Sequence, residues 1–209
     1  MHPIERLRFV ARSRGAPADV LVMESAAALM AFRDDPAGMV AACRRIIDRQ
    51  LDCGPLWWLC ARMLCGPDAA YEARDAVELF DADPTEQRLR EALAGLGADE
   101  QVPLLIEVLA GGPERVLIDA DDAADARHAA ERGQPVWWVG GVGRLLPAEM
   151  FDALERRRDE RNDALDSRNE VVPIELAVAV AGPRGVLPPA RATRRPDCPV
   201  APELFRLAG

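Results

Sequence analysis

The stretch 135–147, PVWWVGGVGRLLP, decides how the rest of the chain is read. Val136–Val139 is a short run of β-branched and aromatic residues without polar alternation, the pattern of a strand covered on both faces. Such a strand belongs near the middle of a parallel sheet. Gly140, Gly141 and Gly143 then make a glycine-rich turn, followed by Arg144 and a helix starting near Pro147. In open α/β sheets ligands bind beyond the carboxyl ends of the strands, where a glycine turn lets backbone N–H groups approach an anion and an arginine can clamp it. Gly140, Gly141, Gly143 and Arg144 are therefore the candidate ligand-binding residues, for a phosphorylated metabolite. The spacing is not the dinucleotide fingerprint, and a tight loop with a solvated arginine is the simpler explanation of the same residues.

Working outward, Val102–Leu109 and Arg115–Ile118 are also short, apolar and bounded by Gly or Pro, and read as strands. Asp121–Arg132, rich in Ala with an acidic first turn, predicts a helix between Arg115–Ile118 and Val136–Val139. Strand, helix, strand and a further helix from Pro147 suggest a right-handed βαβ unit and a parallel sheet. Residues 1–98 have a different character. Ala18, Leu21, Val22, Ser25, Leu29 and Phe32 follow helical spacing, and Met39, Val40, Cys43, Ile46 and Ile47 supply a second stripe. Helix starts are signalled at Asp35-Pro36, Gly54-Pro55 and Asp83-Pro84, where a capping residue or a first-turn proline fits. Gly95-Leu-Gly-Ala-Asp marks the change.

The fold class expected is α/β: a helical N-terminal bundle over 1–98, then a small, truncated Rossmann-like parallel-sheet domain over 99–209. That second part carries a charged insertion, 155–170, read as a solvated helix end and loop. It ends in a Pro-rich tail, 186–209, whose Pro188, Pro189, Pro196, Pro199 and Pro202 keep it out of any central strand. Such a tail lies over its own domain or reaches a second subunit.

Charge and composition exclude several functions. A net charge of −9 repels a phosphate backbone, so no nucleic-acid partner is expected. All 26 basic residues are Arg, which removes Schiff-base chemistry and a P-loop lysine. The opening MHPIERLRFVARSRG has no apolar signal region, and no run approaches the ~18 apolar residues of a membrane span, so a cytoplasmic protein with no membrane partner is expected.

Side chains for catalysis are few: His2, His128, three Ser, two Thr and five Cys. Cys43, Cys53, Cys60, Cys65 and Cys198 form no CxxC pair, and Cys43, Cys60 and Cys65 fall on apolar helix faces as small hydrophobes. No Ser lies in a nucleophile elbow. Asp119, Asp121, Asp122 and Asp125 supply hard oxygens for a divalent cation, but acids in a first helical turn are more simply caps and dipole partners. Trp57/Trp58 and Trp137/Trp138 read as core or subunit-interface residues. The sequence thus points to no catalytic residue, no cofactor and no metal.

Four segments carry a family resemblance: IERLRFVARSRGAPADVLVMESAAAL (4–29), GPLWWLCARML (54–64), PVWWVGGVGRLLP (135–147) and VVPIELAVAVAGPRGVL (171–187). In order and character they resemble the translation initiation factor 2B superfamily, which includes the alpha, beta and delta regulatory subunits and the methylthioribose-1-phosphate and ribose-1,5-bisphosphate isomerases. The resemblance implies a helical domain before a Rossmann-like domain that dimerises and can bind sugar phosphates. It covers the chain nearly end to end, except that two or three strands normally opening the α/β domain are missing between Leu96 and Val102. It also implies which catalytic groups are lost. The segment bearing the isomerases' cysteine has no counterpart. Their Gly-Ala-Asp motif corresponds to Ile106–Ala110, with Leu109 in the acid's place, and Asp119–Ala123 replaces an Asn-Lys-x-Gly-Thr segment. A non-catalytic binding or regulatory protein, homodimeric or bound to another protein, is the leading expectation; a sugar-phosphate or nucleotide enzyme or sensor is the alternative.

Overall fold

In the computed structural model, residues 3–13, 15–162, 168–194 and 196–205 are described. Among the described residues the N-terminal half holds six α-helices: α1 (Pro3–Arg12), α2 (Ala18–Leu29), α3 (Pro36–Arg49), α4 (Gly54–Cys65), α5 (Ala69–Asp81) and α6 (Thr85–Ala94). Local chemistry starts several of them. The Asp35 carboxylate accepts from Gly38 N at 2.9 Å while Pro36 occupies the first turn of α3, and Asp68 accepts from the Ala70 and Tyr71 amides at the head of α5. Helix α4 is apolar except for Arg62 in its last turn. Leu56, Trp57, Trp58, Leu59, Cys60 and Ala61 are all buried, which fits a helix surrounded by others rather than one on the rim of a bundle.

The C-terminal half runs β1 (Leu104–Glu107), β2 (Ala110–Gly111), β3 (Arg115–Asp119), α7 (Ala120–Glu131), β4 (Val136–Val139), α8 (Ala148–Asn162), β5 (Asn169–Pro173), β6 (Ala179–Gly182), β7 (Gly185–Leu187) and α9 (Pro189–Ala192). The strands form two sheets, a four-stranded one in the order β1-β4-β6-β7 and a three-stranded one in the order β2-β3-β5. In the first, β1, β4 and β6 are parallel and β7 returns antiparallel; the second is antiparallel throughout. The helical half followed by a mixed, largely parallel sheet is the expected fold class.

The pairing inside it differs from expectation. The strand before α7 is not the partner of β4: β3 pairs with β5, and β1 takes the place beside β4. The apolar run 102–109 is not one strand either. The Val108 amide donates to Val139 O at 2.9 Å, in the first sheet, and the next amide, Leu109, donates to Leu117 O at 2.9 Å, in the second. Successive peptide groups of an extended chain point to opposite sides, so one residue suffices to hand the chain from one sheet to the other. Gly111 and Gly112 allow the close turn that follows; a Cβ on Gly112 would meet Phe151 Cγ at 2.8 Å.

One face of the first sheet, with Ile106, Val136, Trp138 and Val180, packs on Ala123, Ala126 and Ala129 of α7. On the other face α6 covers β6 and β7 but leaves β1 and β4 less sheltered, so Trp137 and Val139 are half-buried and Leu105 is exposed. Strand β4 is central in order, yet not fully covered on both faces.

The main core crosses the middle of the chain. Trp57, Trp58, Leu59 and Ile47 share one apolar cluster with Leu117, Leu146, Met150, Phe151 and Leu154 from the C-terminal half. Part of the charged run is also turned inward. Arg158, on α8, is buried; it pairs with Asp52 and donates to Asn169 O at 2.9 Å, and Asn169 Nδ2 donates back to Asp52 at 2.6 Å. Arg157 donates to Asp48 at 2.8 Å and lies over the Trp57 ring. The solvated reading fails there because Asp48, near the end of α3, and Asp52, in the turn after it, supply partners for the two guanidinium groups. Residues 163–167 of the charged run lie outside the described residues.

The Pro-rich tail lies on its own chain, but against the helical half. Trp58 Nε1 donates to Asp197 O at 3.2 Å, Arg44 Nε donates to Glu203 O at 2.7 Å, and Cys198, Ala201 and Leu204 are buried in the main core. Before the tail turns away, Val186 and Leu187 form edge strand β7, where the following Pro188 and Pro189 are tolerated.

Candidate functional site

The glycine loop stands where the strand pattern puts it. Parallel strands β1, β4 and β6 end at Glu107, Val139 and Gly182, and the loop leaves the end of β4 between the two sheets. Three of its amides, those of Gly140, Val142 and Arg144, are used within the chain. Gly140 N donates to Ala181 O at 2.8 Å and Arg144 N to Gly141 O at 3.2 Å, while Arg144 O accepts from Gly111 N at 2.7 Å. Gly143 has φ +73°, a left-handed conformation, and a Cβ there would lie 3.1 Å from Pro55 Cα and from Trp58. A glycine is required both by that conformation and by the packing of the loop on the start of α4.

The Val142 amide meets a side chain of the helical half. Asp83, at the head of α6, accepts from Val142 N through Oδ2 at 2.7 Å. Its Oδ1 accepts from Thr85 N at 2.9 Å and from Thr85 Oγ1 at 2.5 Å. A Cβ on Gly141 would come within 2.5 Å of Asp83 Oδ2, so the glycine is what lets the carboxylate approach. Arg144 is committed elsewhere: it pairs with Glu107 and donates through Nη1 to Val108 O at 2.6 Å. With its side chain 14% exposed, it is not the solvated arginine of the simpler reading. A cavity of about 30 Å³ adjoins the loop, lined by Trp58, Gly140, Gly141, Gly143, Arg184 and Asp197 among others.

Thus the structure brings Gly140, Gly141, Gly143 and Arg144 into one turn, with Gly140 N, Gly141 O and the Arg144 side chain bonded inside the chain. Asp83 escaped sequence reasoning. Asp83-Pro84 reads only as a helix start, and nothing local says that its carboxylate will meet an amide 59 residues further on.

The remaining sequence candidates are scattered. Asp119 caps α7, accepting from Asp121 N at 2.9 Å, and Asp122 has its carboxyl raised by burial first and then by Asp119, Asp125, Asp121 and Glu107. Among the described residues no group of three or more His, Cys, Asp or Glu could hold a metal ion. His128 is exposed on α7, and His2 lies outside the described residues. Cys43, Cys60 and Cys198 are buried. Cys65 departs from its expected core position: it lies exposed at the end of α4, where its thiol donates to Val200 O at 3.4 Å. Burial raises the Cys53, Cys60 and Cys198 thiols, Cys53 to about 11, which disfavours a thiolate. Leu109, where the resemblance puts a catalytic aspartate, packs its side chain against the main core and accepts Gly54 N on its carbonyl at 3.0 Å.

Comparison with solved structures bears on this arrangement of helices and sheets. Translation initiation factor eIF-2B of Pyrococcus horikoshii OT3 superposes with a TM-score of 0.67 over 92% of this chain and 98% of that one, at 10% identity. The tetrameric eIF2B-beta2-delta2 complex of Chaetomium thermophilum gives 0.68, over 91% and 92% respectively, also at 10% identity. The chain has the eIF2B fold. A third structure, eIF2B beta from the same fungus, gives 0.66 over 90% of this chain and 86% of that one. No family model matches the sequence, and no curated protein matches it. The eIF2B fold is therefore carried here by a sequence that keeps the order of elements and little else. Among the described residues between α6 and β1, none forms a strand, so β1 opens the α/β half directly.

Proposed function

We propose that this chain is a non-catalytic binding or regulatory protein of the initiation factor 2B type, cytoplasmic and self-associating. The observation that carries the reading is the occupation of the glycine loop. Where an anion would be held, Val142 N is bonded to Asp83 and the Arg144 guanidinium to Glu107 and Val108 O. Self-association is supported by the tetrameric assembly of a C. thermophilum relative in fold, and by the open edge of β1, beside which Val102 (70%) and Leu105 (39%) are exposed. No helix among the described residues is long and apolar enough to cross a membrane. Light scattering across protein concentration tests the reading. A dimer or larger species is expected, and a monomer at every concentration counts against it.

A second reading, a sugar-phosphate or nucleotide enzyme or sensor, is favoured by one observation: the loop lies at the carboxyl ends of β1, β4 and β6. It requires that a sugar phosphate raise the melting temperature of the native chain and that Arg144→Ala abolish the rise.

A further inference from the structure

We infer that the helical half holds a second site, a cavity between α3 and the end of α4 that binds a small primary amine with an apolar body, its ammonium group paired with Glu203. The site lies apart from the glycine loop, so the inference goes beyond the functional reading above and does not depend on it.

The cavity has a volume of about 290 Å³, close to the roughly 300 Å³ at which small-molecule sites begin. Phe32, Met39, Met63 and Leu64 give it apolar walls. Met39 and Met63 are buried members of the main core, so that part of the wall is fixed, while the thioethers adapt to apolar bodies of different shape. Two charged residues, Arg33 and Glu203, line the same cavity, and they are not equivalent. Arg33 Nε donates to Asp34 at 3.2 Å, so its charge is already offset. The Glu203 carboxylate has no hydrogen bond or ion pair among the described residues; it is the Glu203 carbonyl that Arg44 Nε reaches, at 2.7 Å. That bond, together with the burial of the neighbouring Leu204 in the main core, fixes the backbone that presents the carboxylate. A carboxylate on a fixed turn beside an apolar cavity, without a counter-charge, is complementary to a ligand that brings one positive charge and a hydrocarbon body. A primary ammonium brings three donors for it. The Cys65 thiol, raised first by burial and then by Glu203, registers the same negative charge at the end of α4. At longer range the net charge of −9 favours a cation as well.

The test is titration calorimetry of the native chain, Glu203→Gln and Glu149→Gln with 3-methylbutylamine, its uncharged counterpart 3-methylbutan-1-ol and the zwitterion leucine, at matched ionic strength. Glu203 is exposed and its side chain holds nothing else in place, so the variant is expected to fold as the native chain does. Glu149, exposed on α8, controls for the loss of one negative charge anywhere on the surface. The amine is expected to bind the native chain more tightly than the alcohol or leucine. Glu203→Gln is expected to weaken the amine about fivefold, the upper range for a pair open to solvent, and to leave the alcohol unchanged, while Glu149→Gln changes neither. No binding of the amine to the native chain overturns the inference. So does amine binding that Glu203→Gln leaves untouched, which would make the cavity a site for hydrocarbon alone, and so does leucine binding as tightly as the amine, which would bring the Arg33 charge into play. None of these outcomes touches the reading of the glycine loop, which stands on its own test.

Discussion

Ser25 is fully buried on α2, and its hydroxyl is the buried side-chain polar atom without a hydrogen-bond partner among the described residues. A hydroxyl taken out of water without replacement costs about 1–3 kcal/mol. Ser25→Ala is therefore expected to stabilise the chain by up to about 2 kcal/mol in urea unfolding, and a loss of stability would show that the hydroxyl has an acceptor after all. The thiols give a second prediction at this scale. Burial raises Cys53 from 9.0 to about 11, and Cys60 is raised well above its ordinary value, chiefly by burial. In the unfolded chain these thiols ionise first, so the unfolded state holds fewer protons and stability falls as pH rises from 9.0 to about 11. Cys53 alone contributes a loss of about 2 kcal/mol by pH 11, and an unfolding free energy flat across that window would contradict the burial. The cysteines also show the limit of reading residues singly. Helical spacing places Cys43 and Cys60 inside correctly, whereas Cys65 ends α4, where the last turn leaves the bundle and spacing no longer says what lies opposite.

Among elements, α8 carries the clearest prediction. Arg158 joins the turn between α3 and α4 to β5 through Asp52 and Asn169, with its own side chain 9% exposed and that of Asp52 35% exposed. Removing one partner of a buried pair strands the other, at a cost of about 3 kcal/mol at the lower end of the usual range because Asp52 keeps some contact with water. Arg158→Ala is expected to lower stability by that amount in denaturant unfolding. Arg161→Ala, on the same helix at an exposed position, is expected to change it by less than about 0.5 kcal/mol. Equal effects would mean that the inward pair does not hold the elements together. Starts of helices were legible because their signals are local: Asp35 and Pro36 lie within three residues of the amide that Asp35 caps. Sheet partners were not, because β3 meets β5 and β1 meets β4 across long separations that no local pattern encodes. Asp83 belongs with these. Its role depends on a loop distant in sequence, which is why the glycine loop could be located from sequence while its occupant could not.

At the scale of the whole molecule, the change of character near residue 98 separates helices from sheets, yet the apolar core does not stop there. Trp57 and Trp58, 0% and 1% exposed, are covered by residues from both halves, and the Trp58 indole is tied to the tail through Asp197 O. Stripping half of the cover from two tryptophans costs on the order of 5 kcal/mol at 25 cal/mol per Å², which is comparable to the entire stability of a typical domain. The two halves are therefore expected to unfold together. Calorimetry should show one transition with an enthalpy on the order of 150 kcal/mol near 60 °C and equal calorimetric and van't Hoff values, and residues 1–98 alone should give no cooperative melt. Two resolved transitions, or a folded 1–98 fragment, would make the helical half an independent domain. A single transition would mean that each half supplies the other's missing core, and that the Asp83 contact with the glycine loop is held by the whole chain rather than by a hinge between two bodies.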